Sequence, residues 1–383
     1  MQLTTQRINT KKQYATIVHT EASLGWGGQE IRILTETAGM IARGHRVTLL
    51  CPKESKIFIE AQLRGIPVEA IPIGRKNLKG ILALRCWLAA NATDVVNTHS
   101  STDAWLAAIA VLGMQDTPML VRTRHISTPI SNNVGTRWLY LKATQRIVTT
   151  GENLRNQLIA KNGYPEQHII SVPTGIDTNH FSPGDRLEAR AALGLSAKAT
   201  IIGIVATLRS WKGHRYLLEA FSRLHGRGED LHLLIVGDGP YRQLVENLVR
   251  DFGLTGRVTM PGNQRDVVPW LRAMDIFVLP SYANEGVPQA ILQAGACSLP
   301  ILSTSVGGIS EAVEHEHTGL LVEPKNAQAL KTALARLLAN PALRLRMGEA
   351  AMYKVRHQFG IETMLNRMET VFLPSRISHL QKT

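Results

Sequence analysis

The stretch Ile201–Leu224 reads IIGIVATLRSWKGHRYLLEAFSRL. Ile201–Ala206 is a short β-branched apolar run of strand length, and a helical pattern covers Gly213–Leu224. Between them lies a short loop, Thr207–Lys212, carrying Arg209 and Lys212. Apolar strands with no polar alternation, each followed by a helix, belong to parallel sheets covered on both faces. Further strands are expected at His232–Val236, Val258–Pro261, Ile276–Leu279 and Pro300–Ser303. Helices are expected at Tyr241–Asp251, Pro288–Gly295 and Ala327–Leu338.

The first half keeps the same rhythm. Its strand candidates are Thr16–Thr20, Arg46–Leu50, Val68–Ile73, Val95–His99, Leu120–His125, Arg146–Thr150 and Ile169–Val172. Helical patterns lie at Gln29–Ala42, Thr102–Leu112 and Glu152–Lys161. Pro173–Asp185, PTGIDTNHFSPGD, is dense in turn residues and marks a boundary. The fold class is therefore α/β, with two doubly wound parallel-sheet domains, 14–180 and 184–357. Such domains bind ligand at the C-terminal ends of their strands, here in the cleft between them. The segment 358–383 forms a C-terminal helix and tail. Over Gln358–Phe372 one face carries Ile361, Met364, Leu365, Met368 and Phe372. No strand follows it, so it must dock on existing surface and is expected to return to the N-terminal domain.

The 383 residues are 44% hydrophobic and 19% charged, enough for two sizeable cores and too ordered in composition for a disordered chain. The net charge of +13 suits polyanions, anionic membrane surfaces or phosphorylated substrates, and does not choose among them. Cys51, Cys86 and Cys297 are far apart in apolar segments, which predicts buried, reduced thiols and excludes a disulfide framework. Met1–Tyr14 is polar and basic without an apolar core, so no signal peptide is expected. The charge-free run Val287–Ser310 contains Pro, Gly, Ser and Gln, which makes it buried core and not a membrane span.

Three loops carry candidate chemistry. Leu24–Glu30, LGWGGQE, follows the first strand and opens a helix. Its glycines either let backbone amides approach a phosphate or only make a tight turn. It is neither a dinucleotide fingerprint nor a Walker loop. Arg209 and Lys212 either converge on one anion, as fork and point charge, or form a solvated basic loop. In the third loop, Pro280–Pro288, Pro288 is expected at the first turn of a helix. Glu285 then either binds sugar hydroxyls beside the free amides of Gly286 and Val287 or caps the helix.

Together these blocks resemble glycosyltransferase family 4, retaining transferases of the GT-B architecture with two facing Rossmann-like domains. The resemblance runs from about Ile17 to about Ile361. It includes Val236–Pro240, VGDGP, the linker around Asp177, Phe181 and Pro183, and the segment from Glu311 to Gly319–Val322. It implies transfer of a sugar from a nucleotide-diphosphate sugar to a saccharide or lipid-linked acceptor, in polysaccharide or lipopolysaccharide assembly. Arg209 and Lys212 would bind the diphosphate, and Glu285 a hydroxyl of the donor sugar with help from Gly286 and Val287. Gly27 and Gly28 would close the cleft near the phosphates, and His125 would face the reacting centre. Gly262 and Asn263 would lie near the base. His99 matches a position lining the cleft, and Glu311 belongs to the tail of the donor site. The family's second glutamate is Gln293 here; its carbonyl can still accept from ribose hydroxyls without the charge assistance, a difference of about 1 kcal/mol. No cofactor and no metal dependence are expected.

Trp26 and Trp211 would either stack on sugar or base or pack at the roots of their loops. Basic residues interleave with Trp and Leu at Arg75–Leu88 and Arg137–Lys142, as suits an anionic bilayer surface. The expected place is therefore cytoplasmic and peripheral on the membrane's inner face. Competing readings are a sugar-nucleotide epimerase of the same architecture, a nicotinamide-dependent oxidoreductase and a basic nucleic-acid-binding protein. The oxidoreductase lacks the spaced glycines and has Cys51-Pro52-Lys53 where a ribose-binding acid belongs. No nucleic-acid module is recognised.

Overall fold

A computed structural model describes residues 14–126, 128–224, 230–283 and 285–373. The polar N-terminal stretch, apart from Tyr14, and the tail beyond Leu373 lie outside the described residues.

The first half alternates throughout, with β1 Thr16–Thr20, α1 Gly28–Ala42, β2 Arg46–Cys51, α2 Lys56–Leu63 and β3 Val68–Ala70. It continues with α3 Leu78–Ala90, β4 Val95–Thr98, α4 Ser101–Ala110, β5 Met119–Arg124 and α5 Val134–Trp138. A π-turn over Leu139–Ala143 leads to β6 Arg146–Thr149, α6 Glu152–Asn162 and β7 Ile169–Ser171. The strands form one parallel sheet in the order β3-β2-β1-β4-β5-β6-β7.

The second half runs α7 Arg186–Ala192, β8 Thr200–Val205, α8 His214–Ser222, β9 Leu231–Val236 and α9 Arg242–Asp251. Then come β10 Val258–Gly262, α10 Val268–Ala273, β11 Ile276–Leu279, α11 Gln289–Ala296, β12 Ile301–Thr304 and α12 Ile309–Ala312. β13 Gly319–Val322 completes a parallel sheet ordered β10-β9-β8-β11-β12-β13. Three helices close the chain, α13 Ala327–Ala339, α14 Pro341–Gln358 and α15 Ile361–Phe372.

In each sheet the order reverses beside the first strand, between β1 and β4 and between β8 and β11. The crevice at such a reversal is where open α/β sheets bind ligands. The central strands are buried on both faces, for instance Ile201, Ile202 and Ile204 on β8 and Ile276–Val278 on β11. Each such side chain contributes about 1.5–3 kcal/mol by leaving water.

Four expectations need correcting. α14 was not foreseen, and it takes Gln358 from the last helix, which begins at Ile361. Its buried residues Leu343, Met347, Ala351 and Val355 join the core of the second domain. Pro288 precedes α11 in extended conformation and does not occupy its first turn. The expected strand Val68–Ile73 ends at Ala70, although Ile71 N still donates to Cys51 O. Cys86 is exposed on the outer side of α3, whose inward positions are Gly80, Leu84 and Leu88; Cys51 and Cys297 are buried.

α15 returns to the first domain. Met364, Leu365, Met368, Val371 and Phe372 join Ile17, Met40, Val95 and Val121 in one core. Arg43, just past α1, binds Glu362 at 2.6 Å and Glu369 at 3.1 Å. The linker is pinned to the start of this helix, because Ile176 N donates to Phe359 O and Ile361 N to Ile176 O.

Candidate active site

The loop after β8 and the loop after β11 meet at the sheet reversal of the second domain. Lys212 Nζ lies 2.6 Å from Glu285 Oε1, and Ser281 Oγ donates to the same oxygen at 2.6 Å. Glu285 is 5% exposed and its Oε2 has no partner among the described residues. Glu285 therefore does not cap α11; Lys212 and Ser281 aim its carboxylate. The guanidinium of Arg209 stacks 5.2 Å over the Trp211 ring. Tyr282 N donates to Trp211 O, so the two loops are stitched together.

A second lock fixes Glu285 from behind. Gly307 has φ 62°, and a Cβ there would sit 2.1 Å from the Glu285 carbonyl oxygen. Only glycine adopts that conformation and that approach without strain. Thr304 Oγ1 donates to Ser281 O at 2.5 Å and Ser303 Oγ to Leu279 O at 2.5 Å, so β12 holds the loop's first residues.

The first domain closes over this site. Gly27 and Gly28 open α1, and Gln289 of α11 donates its side-chain amide to Gly28 O. Gly286 abuts the His125 carbonyl, where an added Cβ would lie 2.7 Å from the oxygen. Thr150 Oγ1 donates to that same carbonyl at 3.2 Å. His125 thus stands at the seam between the domains, one residue past β5.

Behind His125 is an arrangement that sequence reasoning found only in part. His125 Nε2 lies 2.9 Å from His99 Nδ1, and His99 Nε2 lies 2.9 Å from His19 Nδ1. In register, His19 pairs with Asn97, and Asn97 with Val121. His99 lies two residues beyond Asn97, and His125 four beyond Val121. Even steps keep the same face of a strand, so the rings descend diagonally from the cleft into the core. His19 Nε2 then faces Glu36 Oε1 at 3.9 Å, and Arg32 Nε lies 3.4 Å from Glu36 Oε2. Burial is the main force holding all three rings neutral, taking His19 down to about 3 and His99 and His125 well below the usual range. His19, Arg32 and Glu36 were missed. The available signal was a histidine at or just past the end of three strands that the strand order makes neighbours.

Glu21, at the end of β1, is pushed up to about 8 by burial and then by Asp103. Its carboxylate is gripped by Ser23 N and the Gln29 side chain at the start of the glycine loop.

Other expected residues are spread around this centre. Gly262 ends β10 and its carbonyl accepts from Gly237 N, while Asn263 beside it is exposed. Gln293 lies half-buried on α11. Val287 is buried in the second core. Trp26 packs at the root of its loop against the core that contains Ile33, Leu34, Leu49 and Ile57. Glu311 reaches across to the first domain, where its carboxylate accepts from Glu152 N at 2.7 Å and Asn153 N at 2.8 Å. A carboxylate at a helix N-terminus satisfies orphan amides and meets the positive end of the dipole; here the helix, α6, belongs to the other domain. The Arg137–Lys142 stretch is largely packed, with Trp138 stacked on Trp105.

Comparison with known proteins agrees with this architecture. Residues 26–180 match the family described as Glycosyltransferase Family 4, and residues 185–353 match Glycosyl transferases group 1. A D-inositol 3-phosphate glycosyltransferase of Nocardia farcinica is 31% identical over 277 residues, covering 70% of this chain and 58% of its own length. The chain thus spans about three-fifths of that relative. The protein of the same name from Pseudarthrobacter chlorophenolicus is 29% identical over 361 residues, covering 88% of this chain and 84% of its own. Among solved structures, a glycosyltransferase from Rickettsia africae superposes with TM-score 0.83 at 21% identity, covering 94% of this chain and 98% of its own. HepE of Anabaena, solved with UDP and glucose, gives 0.82 at 21%, covering 93% and 99%. Two facing parallel-sheet domains, the family matches to both halves and these superpositions place the chain in glycosyltransferase family 4, with the GT-B fold.

Proposed function

We propose that the protein transfers a glycosyl group from a nucleoside diphosphate sugar to a hydroxyl of a saccharide or lipid-linked acceptor, with retention of anomeric configuration. The observation that carries this is the set Lys212–Glu285–Ser281 beside Arg209, built at the strand ends of one domain and faced by His125 and Gly27–Gly28 of the other. Arg209 and Lys212 draw off the diphosphate while the anomeric C–O bond breaks, as preorganised positive groups do for developing anionic charge. The acceptor oxygen bonds to the same face, and its proton passes to the leaving phosphate oxygen. Glu285 Oε2 is available to a donor hydroxyl, Gln293 to the ribose, and the Gly262–Asn263 turn to the base. Because two side-chain cations supply the charge, the transfer requires no metal.

The acceptor is assigned to polysaccharide or lipopolysaccharide assembly at the inner face of the membrane. The relatives' name, D-inositol 3-phosphate glycosyltransferase, adds a phosphorylated polyol as a second acceptor class. For membrane contact the support is local. Leu78 and Leu82 are exposed on consecutive turns of α3 beside Lys76 and Lys79, an apolar and basic edge suited to anionic headgroups. Among the described residues no helix is long and apolar enough to cross a membrane.

The test is incubation of the protein with UDP, GDP and ADP sugars, following nucleoside diphosphate release and the anomeric proton of the product by NMR. Release from an α-linked donor with an α-configured product supports the reading. A β-configured product removes retention, and the absence of both binding and turnover across the panel removes the donor class.

A further inference from the structure

We infer that His99 and His19 are positioning residues that, anchored by Glu36, fix which ring nitrogen of His125 carries its proton. The inference rests on the proposed place of His125 in the transfer site.

Two 2.9 Å contacts join three imidazoles in series, His125 Nε2 to His99 Nδ1 and His99 Nε2 to His19 Nδ1. A neutral imidazole has one N–H and one lone pair, so the three rings have only two self-consistent arrangements. Either every N–H points toward the cleft, or every N–H points toward Glu36. The buried end of the series decides. Glu36 Oε1 accepts from Asn97 Nδ2 at 3.3 Å, and Oε2 faces Arg32 Nε at 3.4 Å. The Asn97 amide is oriented by Thr123 Oγ1, which donates to Asn97 Oδ1 at 2.8 Å. Both Glu36 oxygens thus face donors, Asn97 by a hydrogen bond and Arg32 as an ion pair, and these favour the carboxylate against the burial that pushes its pKa up. His19 Nε2 lies 3.9 Å from Oε1 in a fully buried setting. A lone pair there would oppose the carboxylate, whereas an N–H is attracted to it.

The N–H groups therefore run His125 Nε2 to His99, His99 Nε2 to His19, and His19 Nε2 toward Glu36. Nδ1 is left as the bare, accepting nitrogen of His125. His99 stacks on His19 and lies tilted against His125, each at a centroid separation of 5.2 Å, and Phe372 of α15 stands edge-on to His19 at 6.2 Å, so a flip is hindered. A hydroxyl reaching His125 Nδ1 meets an acceptor already oriented, without tautomer exchange.

The experiment is NMR of the full chain, without ligand and with its histidine ring nitrogens labelled, near pH 7.5. It resolves which nitrogen of each ring is protonated. The expected result is a single His125 tautomer with the proton on Nε2 and a bare Nδ1. Glu36→Gln, close in shape, is expected to convert it to a mixture of both tautomers, as is His99→Leu. His99→Gln, whose amide both donates and accepts, is expected to restore the Nε2-protonated form. A proton on Nδ1 in the unmodified protein overturns the inference, and so does a single unchanged tautomer in Glu36→Gln. If His99→Leu fails to fold, Glu36→Gln decides alone. The readout needs no turnover: a protein that releases no nucleoside diphosphate yet shows the single tautomer loses the proposed function and keeps the relay.

Discussion

The Glu285 carboxylate and the Lys212 ammonium, from loops after two adjacent strands of the second sheet, are 2.6 Å apart. Lys212 both adds positive charge to the cleft and neutralises a carboxylate that is otherwise buried with one hydroxyl. In Lys212→Ala both roles are lost. Turnover of a nucleoside diphosphate sugar is expected to fall about 10²–10³-fold, the scale for removing one preorganised charge-stabilising donor. The stranded carboxylate is expected to cost about 1–3 kcal/mol of stability. Steady-state kinetics at saturating donor and chemical denaturation measure the two separately; near-full turnover contradicts the leaving-group role.

Gly307→Ala places a methyl group against the Glu285 carbonyl in a left-handed backbone conformation. The conformation alone costs about 1–2 kcal/mol, and the overlap displaces the loop that carries Glu285. A lowered midpoint in thermal unfolding, with donor binding weakened beyond the stability loss, is the expected result.

Glu311 links the domains through the first amides of α6. Glu311→Ala removes a cap worth about 1 kcal/mol. Hydrogen exchange at Glu152 and Asn153 is expected to accelerate while exchange in the two sheets stays unchanged. Equal acceleration across both sheets would show a global effect and not a latch.

Acid stability follows from the histidine series. All three rings are neutral when folded and protonate near 6.5 when unfolded. Below pH 6.5 the unfolded chain binds more protons at these sites, so stability falls with pH by roughly 1 kcal/mol per unit for each ring. Glu21 acts in the opposite sense. Its folded value of about 8 lies above the 4.5 of the free group, so its contribution is full below 4.5 and is lost as pH rises toward 8. Denaturation midpoints are expected to drop steeply from pH 6.5 downward, these three rings with His214 and His232 outweighing the raised carboxyls Glu21, Glu36 and Glu311. From pH 6.5 to 8 the decline in the unmodified protein is expected to shrink in Glu21→Gln.

Much of the fold was legible because it rests on local pattern. The strand Thr16–Thr20 and the helix ending at Ala42 are written in apolar runs and glycine turns. α14 was harder to read, since its inward stripe of Leu343, Met347, Ala351 and Val355 is interrupted by Gly348, Arg344 and Arg346. Lys212 and Glu285 could be named by resemblance, but their direct pairing could not. It depends on β8 and β11 being neighbours despite the strands between them in sequence. The histidine series was hidden for the same reason: it needs the order β1-β4-β5 and the register of each pair, neither of which is written locally. The contact of Glu311 with the first amides of α6 was equally hidden, because it joins residues of different domains that are 158 and 159 positions apart.

The most direct test of the central claim is calorimetric titration of the protein with UDP-glucose, GDP-mannose and ADP-glucose, repeated on Lys212→Ala and Arg209→Ala. Binding of at least one donor, weakened about tenfold or more by each substitution, is the predicted result. Affinities that do not change in either variant, or no binding of any of the three by the unmodified protein, would contradict a nucleotide-sugar site built on Arg209, Lys212 and Glu285.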